Sequence, residues 1–125
     1  MLLDIIGNTS THEHFDAGQT IFRQGDSVEA MYVIEEGEVD IVVDNEIVET
    51  VGRGGILGEM AMINIDTAAS EAVAKTACNL RPINRGYFAL LLRKRLDFAI
   101  EIMRVVANRP RSVYRSQTQL TPLGI

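Results

Sequence analysis

A glycine-rich turn, Gly54-Gly55-Ile56-Leu57-Gly58, runs into Glu59-Met60-Ala61-Met62, and the small residues Thr67-Ala68-Ala69-Ser70 follow shortly after. A turn that opens a short helix offers backbone N–H groups with no partner inside the helix, and the helix dipole favours negative charge there. The chemistry such a stretch supports is therefore anion binding, phosphate above all. A cradle of this kind is usually completed by an arginine, whose planar fork pairs with the phosphate oxygens. No arginine lies between Arg53 and Arg81. The stretch reads as an anion cradle without its cation.

Other groups carry less. His12 and His14 stand two apart, which on a strand places both on one face, but a zinc site needs three or four protein ligands and no third accompanies them. They read as exposed strand histidines, and no metal is expected. Cys78 is the only cysteine, so no internal disulfide is possible; it reads as a small buried hydrophobe in a cytoplasmic protein. There is no Gly-x-Ser-x-Gly elbow and no glycine loop ending in Lys-Ser or Lys-Thr, and the carboxylates are scattered over turns, where solvation accounts for them. The expectation is a protein that is not an enzyme.

Charge is divided sharply along the chain. Residues 1–80 hold three basic residues (Arg23, Arg53, Lys75) against fifteen acidic, a balance of −12, whereas residues 81–125 hold nine basic against two acidic, a balance of +7. The basic end either complements its own acidic body and the carboxyl ends of its own helices, or presents a docking patch made of Arg93, Lys94, Arg95, Arg104, Arg109, Arg111 and Arg115. The opening Met1-Leu2-Leu3-Asp4-Ile5-Ile6-Gly7 has no basic flank and a carboxylate in its apolar run, so it does not read as a signal peptide. Nothing approaches the length of a membrane span.

The elements that must position the cradle follow from periodicity. Short β-rich runs at 14–15, 20–23, 31–34, 39–43, 46–51, 70–77 and 79–83 are separated by Gly18, Gly25-Asp26, Gly37, Asp44-Asn45 and Gly52-Arg53-Gly54-Gly55, which supply the positive φ angles of tight reversals. That spacing predicts a jelly-roll, a double-stranded β-helix that closes on itself and limits exposed strand edges. After Arg85 the period becomes helical: Phe88, Leu91 and Leu92 share one face, and Phe98, Ile102, Val105 and Val106 make a second, with a break near Arg95-Leu96-Asp97 and an end at Pro110. Asp97 is placed to cap the second helix or to sit in its first turn. The fold class is mainly β with C-terminal α, a single domain divided into an N-terminal segment 1–13, a jelly-roll barrel 14–85, C-terminal helices 86–110, and a helical extension or tail 111–125. Too few residues follow Pro110 for a helix-turn-helix unit, so no DNA-binding domain is expected.

Four stretches now carry a resemblance: Phe15-Asp16-Ala17-Gly18-Gln19-Thr20-Ile21-Phe22-Arg23-Gln24-Gly25-Asp26, Met31-Tyr32-Val33-Ile34-Glu35-Glu36-Gly37-Glu38-Val39, Gly58-Glu59-Met60-Ala61-Met62, and Leu80-Arg81-Pro82-Ile83-Asn84-Arg85-Gly86-Tyr87-Phe88. In this order, over about residues 14–109, the chain resembles the cyclic nucleotide-binding domains of bacterial regulators, kinase regulatory subunits and gated channels. The resemblance implies that Glu59 takes the ribose 2′-hydroxyl and that amides near Gly58, Met60 and Ala61 hold the cyclic phosphate of cAMP or cGMP. The family's arginine falls on Ala68, with Ala69 at the following place, where a small or hydroxyl residue also touches phosphate. Tyr114 matches an aromatic cap over the purine in some members; by itself it reads as a surface or packing residue.

The expected function is a small sensory or regulatory module in which a ligand at the cradle draws the C-terminal helices over the barrel, with cAMP or cGMP binding weak or lost because Ala68 replaces the arginine. Arg53 and Lys75 are the nearest substitute cations. The alternative is a protein-protein interaction or oligomerisation module that keeps the fold as scaffold and binds a partner, or itself, through the basic C-terminal helices.

Overall fold

The computed structural model describes residues 2–6, 11–63, 67–110 and 113. Eight strands are seen: β1 (Glu13–Phe15), β2 (Thr20–Phe22), β3 (Ala30–Glu36), β4 (Val39–Val43), β5 (Glu46–Val51), β6 (Ile56–Leu57), β7 (Glu71–Ala74) and β8 (Cys78–Asn84). Helix α1 (Leu2–Ile6) precedes them, α2 (Glu59–Ile63) interrupts them, and α3 (Arg85–Lys94) and α4 (Leu96–Asn108) follow. The strands form two antiparallel sheets, in the orders β1-β8-β3-β6 and β2-β7-β4-β5, and the chain switches sheet repeatedly as a jelly-roll does. Among the described residues no helix is long and apolar enough to cross a membrane.

Strand alternation divides the interior into two layers. In β3, Ile34 and Tyr32 point between the sheets, while Met31 and Val33 point to the outer face where the helices lie. Leu57 and Ile56 in β6, and Leu80 and Ile83 in β8, divide the same way, because neighbouring strand residues face opposite sides. The inter-sheet layer holds Phe22, Ile41, Ala72 and Ala74; the outer layer holds Phe88, Leu91, Phe98 and Ile102, with Phe88 and Phe98 meeting edge to face at 5.7 Å. Leu2 and Ile6 of α1 belong to that outer layer, and Tyr87 Oη donates to the Ile6 carbonyl at 2.6 Å. The short apolar run at the chain's start is thus a helix packed under α4.

Two local features depart from the sequence reading, and one of its two places for Asp97 is decided. Leu92 is exposed, not buried with Phe88 and Leu91. The covered stripe of α3 runs from Tyr87 through Leu91 to Phe88, and Leu92 falls past its edge. Asp97 lies in the first turn of α4 while Arg95 occupies the cap; its carboxylate pairs with Arg95 at 2.7 Å, which holds its pKa below the usual range. Strand β6 was not foreseen, since two apolar residues after a glycine turn carry no period.

The reversals use the residues predicted for them. Asp44 and Asn45 both have positive φ (52° and 66°), joining β4 to β5 in a two-residue hairpin. Gly37, at φ 92°, sits where a Cβ would run into the Ala77 carbonyl and Cys78. Gly37→Ala is expected to lower folding stability by at least about 1 to 3 kcal/mol, the ordinary cost of a strained backbone, read as an earlier midpoint in urea. Cys78 itself is buried, and burial pushes its thiol pKa up, away from reactivity.

His14 on β1 places Nδ1 at 2.9 Å from Asn79 Oδ1 and Nε2 at 3.1 Å from Asp16 Oδ1. Both neighbours are acceptors, so the doubly protonated ring satisfies both. Its pKa is raised above 6.5, first by the Asn79 bond and then by Asp16. The stability it contributes is complete below the unfolded value of 6.5 and is lost as pH rises through the higher folded value. An NMR titration of His14 is expected to shift toward lower pH in Asn79→Ala; an unchanged midpoint would show that the bond has no influence. His12 pairs instead with Glu35 at 3.2 Å, and no group of residues able to hold a metal ion is present among the described residues.

Candidate functional site

The stretch read from sequence as an anion cradle follows directly on β6. Gly58 turns the chain at φ 75°, and a Cβ there would meet the Phe22 ring only at an ordinary contact distance of 3.6 Å, so a side chain would be strained by conformation more than by contact. Helix α2 follows for barely one turn and rests on β3. The Ala61 amide donates to the Gly58 carbonyl at 3.3 Å, and the Ala61 carbonyl accepts from Arg85 Nη2 at 2.8 Å, which fixes the cradle to the start of α3.

A small cavity at this spot is lined by Gly58, Glu59, Met60, Ala61, Ala69 and Ser70 from the cradle, by Phe22 and Ile41 from the barrel, and by Arg109 and Val113 from the chain's end. The structure therefore brings together five of the residues singled out from sequence: Gly58, Glu59, Met60, Ala61 and Ala69. Ala68 stands beside them in the inter-sheet core, 4% exposed, with its amide donating to Asp26 O and its carbonyl accepting from Gly25 N, both at 2.9 Å. Tyr114 lies outside the described residues. Neither Arg53 nor Lys75 lines the cavity: Arg53 is exposed in its turn and donates to the Glu35 carbonyl, and Lys75 is exposed after β7.

The cation that does line it is Arg109, at the C-terminal end of α4. Its side chain is 4% exposed; Nη1 donates to Glu59 Oε1 at 2.8 Å and Nη2 to the Ile56 carbonyl at 2.8 Å. Nε lies 3.0 Å from Glu49 Oε1 on β5, close enough for Coulomb attraction but out of line for a hydrogen bond. One guanidinium thus stands against two carboxylates, Glu59 and Glu49. Val113 is buried at 2% and packs in the inter-sheet core, its amide donating to the Pro110 carbonyl at 3.0 Å. With Arg109 and Val113 in place the remaining cavity is about 10 Å³, room for a single water, whereas small-molecule pockets run to roughly 300 Å³ and more.

This placement corrects the assignment of Arg109 to a surface docking patch. The basic end does complement its own acidic body here, because a buried Glu59 needs a counter-charge and α4 ends above it. Arg95 and Arg104 are also engaged, with Asp97 and Glu101, although both remain exposed; Arg93 and Lys94 extend into solvent. Sequence reasoning missed Arg109 as a site residue. Its one available signal was position: a basic residue directly before a helix-ending proline, in a chain whose first 80 residues are strongly acidic.

A family model described as cyclic nucleotide-binding domain matches residues 12–95. The cAMP-dependent protein kinase regulatory subunit of Eremothecium gossypii is 35% identical over 88 residues, which are 70% of this chain and 19% of that relative. Among solved structures, the regulatory subunit of a cAMP-independent protein kinase A from Trypanosoma brucei superposes with a TM-score of 0.69 at 28% identity, covering 87% of this chain and 39% of that one. A mutant of the same subunit with three substitutions, one of them threonine to arginine, is bound to cAMP in its A site; it matches with the same score and identity over 88% of this chain and 40% of its own. The chain thus spans about a fifth of the curated relative it matches.

Proposed function

This chain belongs to the cyclic nucleotide-binding domain family, and we propose that it serves as a non-enzymatic regulatory module whose affinity for cAMP or cGMP is weak or lost. The observation that carries this reading is the charge around the cradle. Among the described residues the one cation lining it, Arg109, is engaged with Glu59, and the buried alanines Ala68 and Ala69 stand where the resemblance expects a phosphate-pairing group. An arriving phosphate would meet two carboxylates, and Arg109, the guanidinium that lines the cavity among the described residues, could pair with it only by giving up its bond to the buried Glu59.

In this reading Gly58, Glu59, Met60, Ala61, Ala68 and Ala69 are the remnant of a nucleotide site. Arg109 and Val113 line the same cavity and leave about 10 Å³ of it, far less than a small-molecule pocket needs. A ligand can shift that arrangement only by its differential affinity for an opened form, and without phosphate pairing little such affinity remains. The Trypanosoma brucei pair offers a parallel: a cAMP-independent subunit, and a mutant of it that gains an arginine among its substitutions and is bound to cAMP.

The direct test is calorimetric titration of the unaltered chain with cAMP and with cGMP. No saturable heat is expected below roughly 100 µM nucleotide, two to three orders above the affinity of an intact site taken as micromolar or better. Saturation at low micromolar nucleotide would overturn the reading.

A further inference from the structure

We propose that α4 carries a second, outward seam through which two copies of this chain associate in antiparallel orientation. Helix α4 covers the barrel with Phe98, Ile102 and Val105, and Arg109 follows on the same side. Leu96, Ile100, Met103 and Ala107 are spaced four, three and four residues apart and are all exposed, at 74%, 40% and 62% for the three large ones. At about 100° per residue these four fall within a stripe roughly 60° wide, on the side of the helix opposite the covered face. A 4-3-4 spacing is the heptad pattern of a helix that packs against another helix, whereas a solvated face is polar.

Flanking charge selects the occupant and its direction. Asp97 and Arg104 lie on the same flank of the stripe, seven residues apart; the opposite flank holds Ala99 and Val106. In a two-fold antiparallel pair that sets Leu96 against Ala107 and Ile100 against Met103 of the other copy, like flanks meet. Asp97 then falls within about two residues' rise (~3 Å) of Arg104 of the second copy, an offset that an arginine side chain spans. Each of these charges already has an intrachain neighbour, Arg95 for Asp97 and Glu101 for Arg104, and all four lie at the surface. Association would join the two pairs into a chain of alternating charge, Arg95–Asp97 with Arg104–Glu101 of the second copy, formed twice by symmetry. A parallel pair would set the charged flank against Ala99 and Val106 and gain nothing from charge. The surface is therefore complementary to itself in one orientation.

Three large apolar side chains per copy make a small interface, so a weak, exchanging dimer is expected, with a Kd of roughly 10 µM to 1 mM. The association does not depend on the nucleotide cradle, so its test stands whether or not cAMP or cGMP binds. Sedimentation of the full chain over that concentration range is expected to show reversible dimerisation. Met103→Glu, confirmed folded by circular dichroism, should weaken it at least about tenfold. Asp97→Arg and Arg104→Asp should each weaken self-association, since like charges then face each other, while their equimolar mixture should restore it, because every cross-pair becomes opposite in sign. A native chain that stays monomeric to about 1 mM, a folded Met103→Glu variant that associates like the native chain, or a mixture no stronger than the single variants would overturn the proposal.

Discussion

Arg109→Ala is expected to cost about 3 to 5 kcal/mol of folding stability, the penalty of removing one partner from a buried ion pair. Glu59 is 2% exposed and loses the guanidinium that holds it at 2.8 Å, and the Ile56 carbonyl loses its donor as well. Glu49 is partly exposed and can rehydrate, so it contributes less. Urea unfolding gives the magnitude, and the companion variant separates causes. Replacing Glu59 and Arg109 together by methionine removes both buried charges, and its cost should fall well short of the summed single costs. A loss below about 1 kcal/mol for Arg109→Ala would mean that the guanidinium does not hold the end of α4 to the barrel, and that the closed cavity is not the resting state.

Ala68→Arg is expected to strengthen cAMP or cGMP binding by roughly two to three orders of magnitude over the native chain, the affinity equivalent of one desolvated guanidinium–phosphate pair. Position 68 is held at both its amide and its carbonyl, so the backbone will not move to accommodate the new side chain. The arginine must extend into space that Val113 and the core now fill, and without ligand the variant should be less stable than the native chain. Nucleotide should then recover that loss, by an amount that grows with ligand concentration over Kd, giving a rise in Tm that the native chain does not show. A folded Ala68→Arg chain with no nucleotide-dependent rise would place the cause of weak binding elsewhere, the plug formed by Arg109 and Val113 being the first candidate.

The strand positions were legible because their signal is local. The period of two in Val39-Asp40-Ile41-Val42-Val43, and positive φ at Asp44, Asn45 and Gly37, need only neighbours in sequence, and β4, its hairpin and the turn into it follow from them. The same local logic failed for Leu92, because which edge of a helical stripe is covered depends on where the barrel lies. It failed for α1, whose five residues are helical only because Leu2 and Ile6 have a hydrophobic layer to enter.

The sequence by itself determined the jelly-roll class, the glycine turn that runs into Glu59, and the absence of an arginine between Arg53 and Arg81. Each of these is a matter of residue type at a spacing, and strand pleat and turn sterics turn such spacing directly into geometry. Only the tertiary structure decided what stands opposite the cradle. Arg109 is 50 residues from Glu59 along the chain, and no periodicity encodes that α4 crosses the barrel so as to end above a buried carboxylate. Burial then selects the partner: a charge withdrawn from water is tolerated only beside its opposite, and Arg109 is the guanidinium that the fold delivers there.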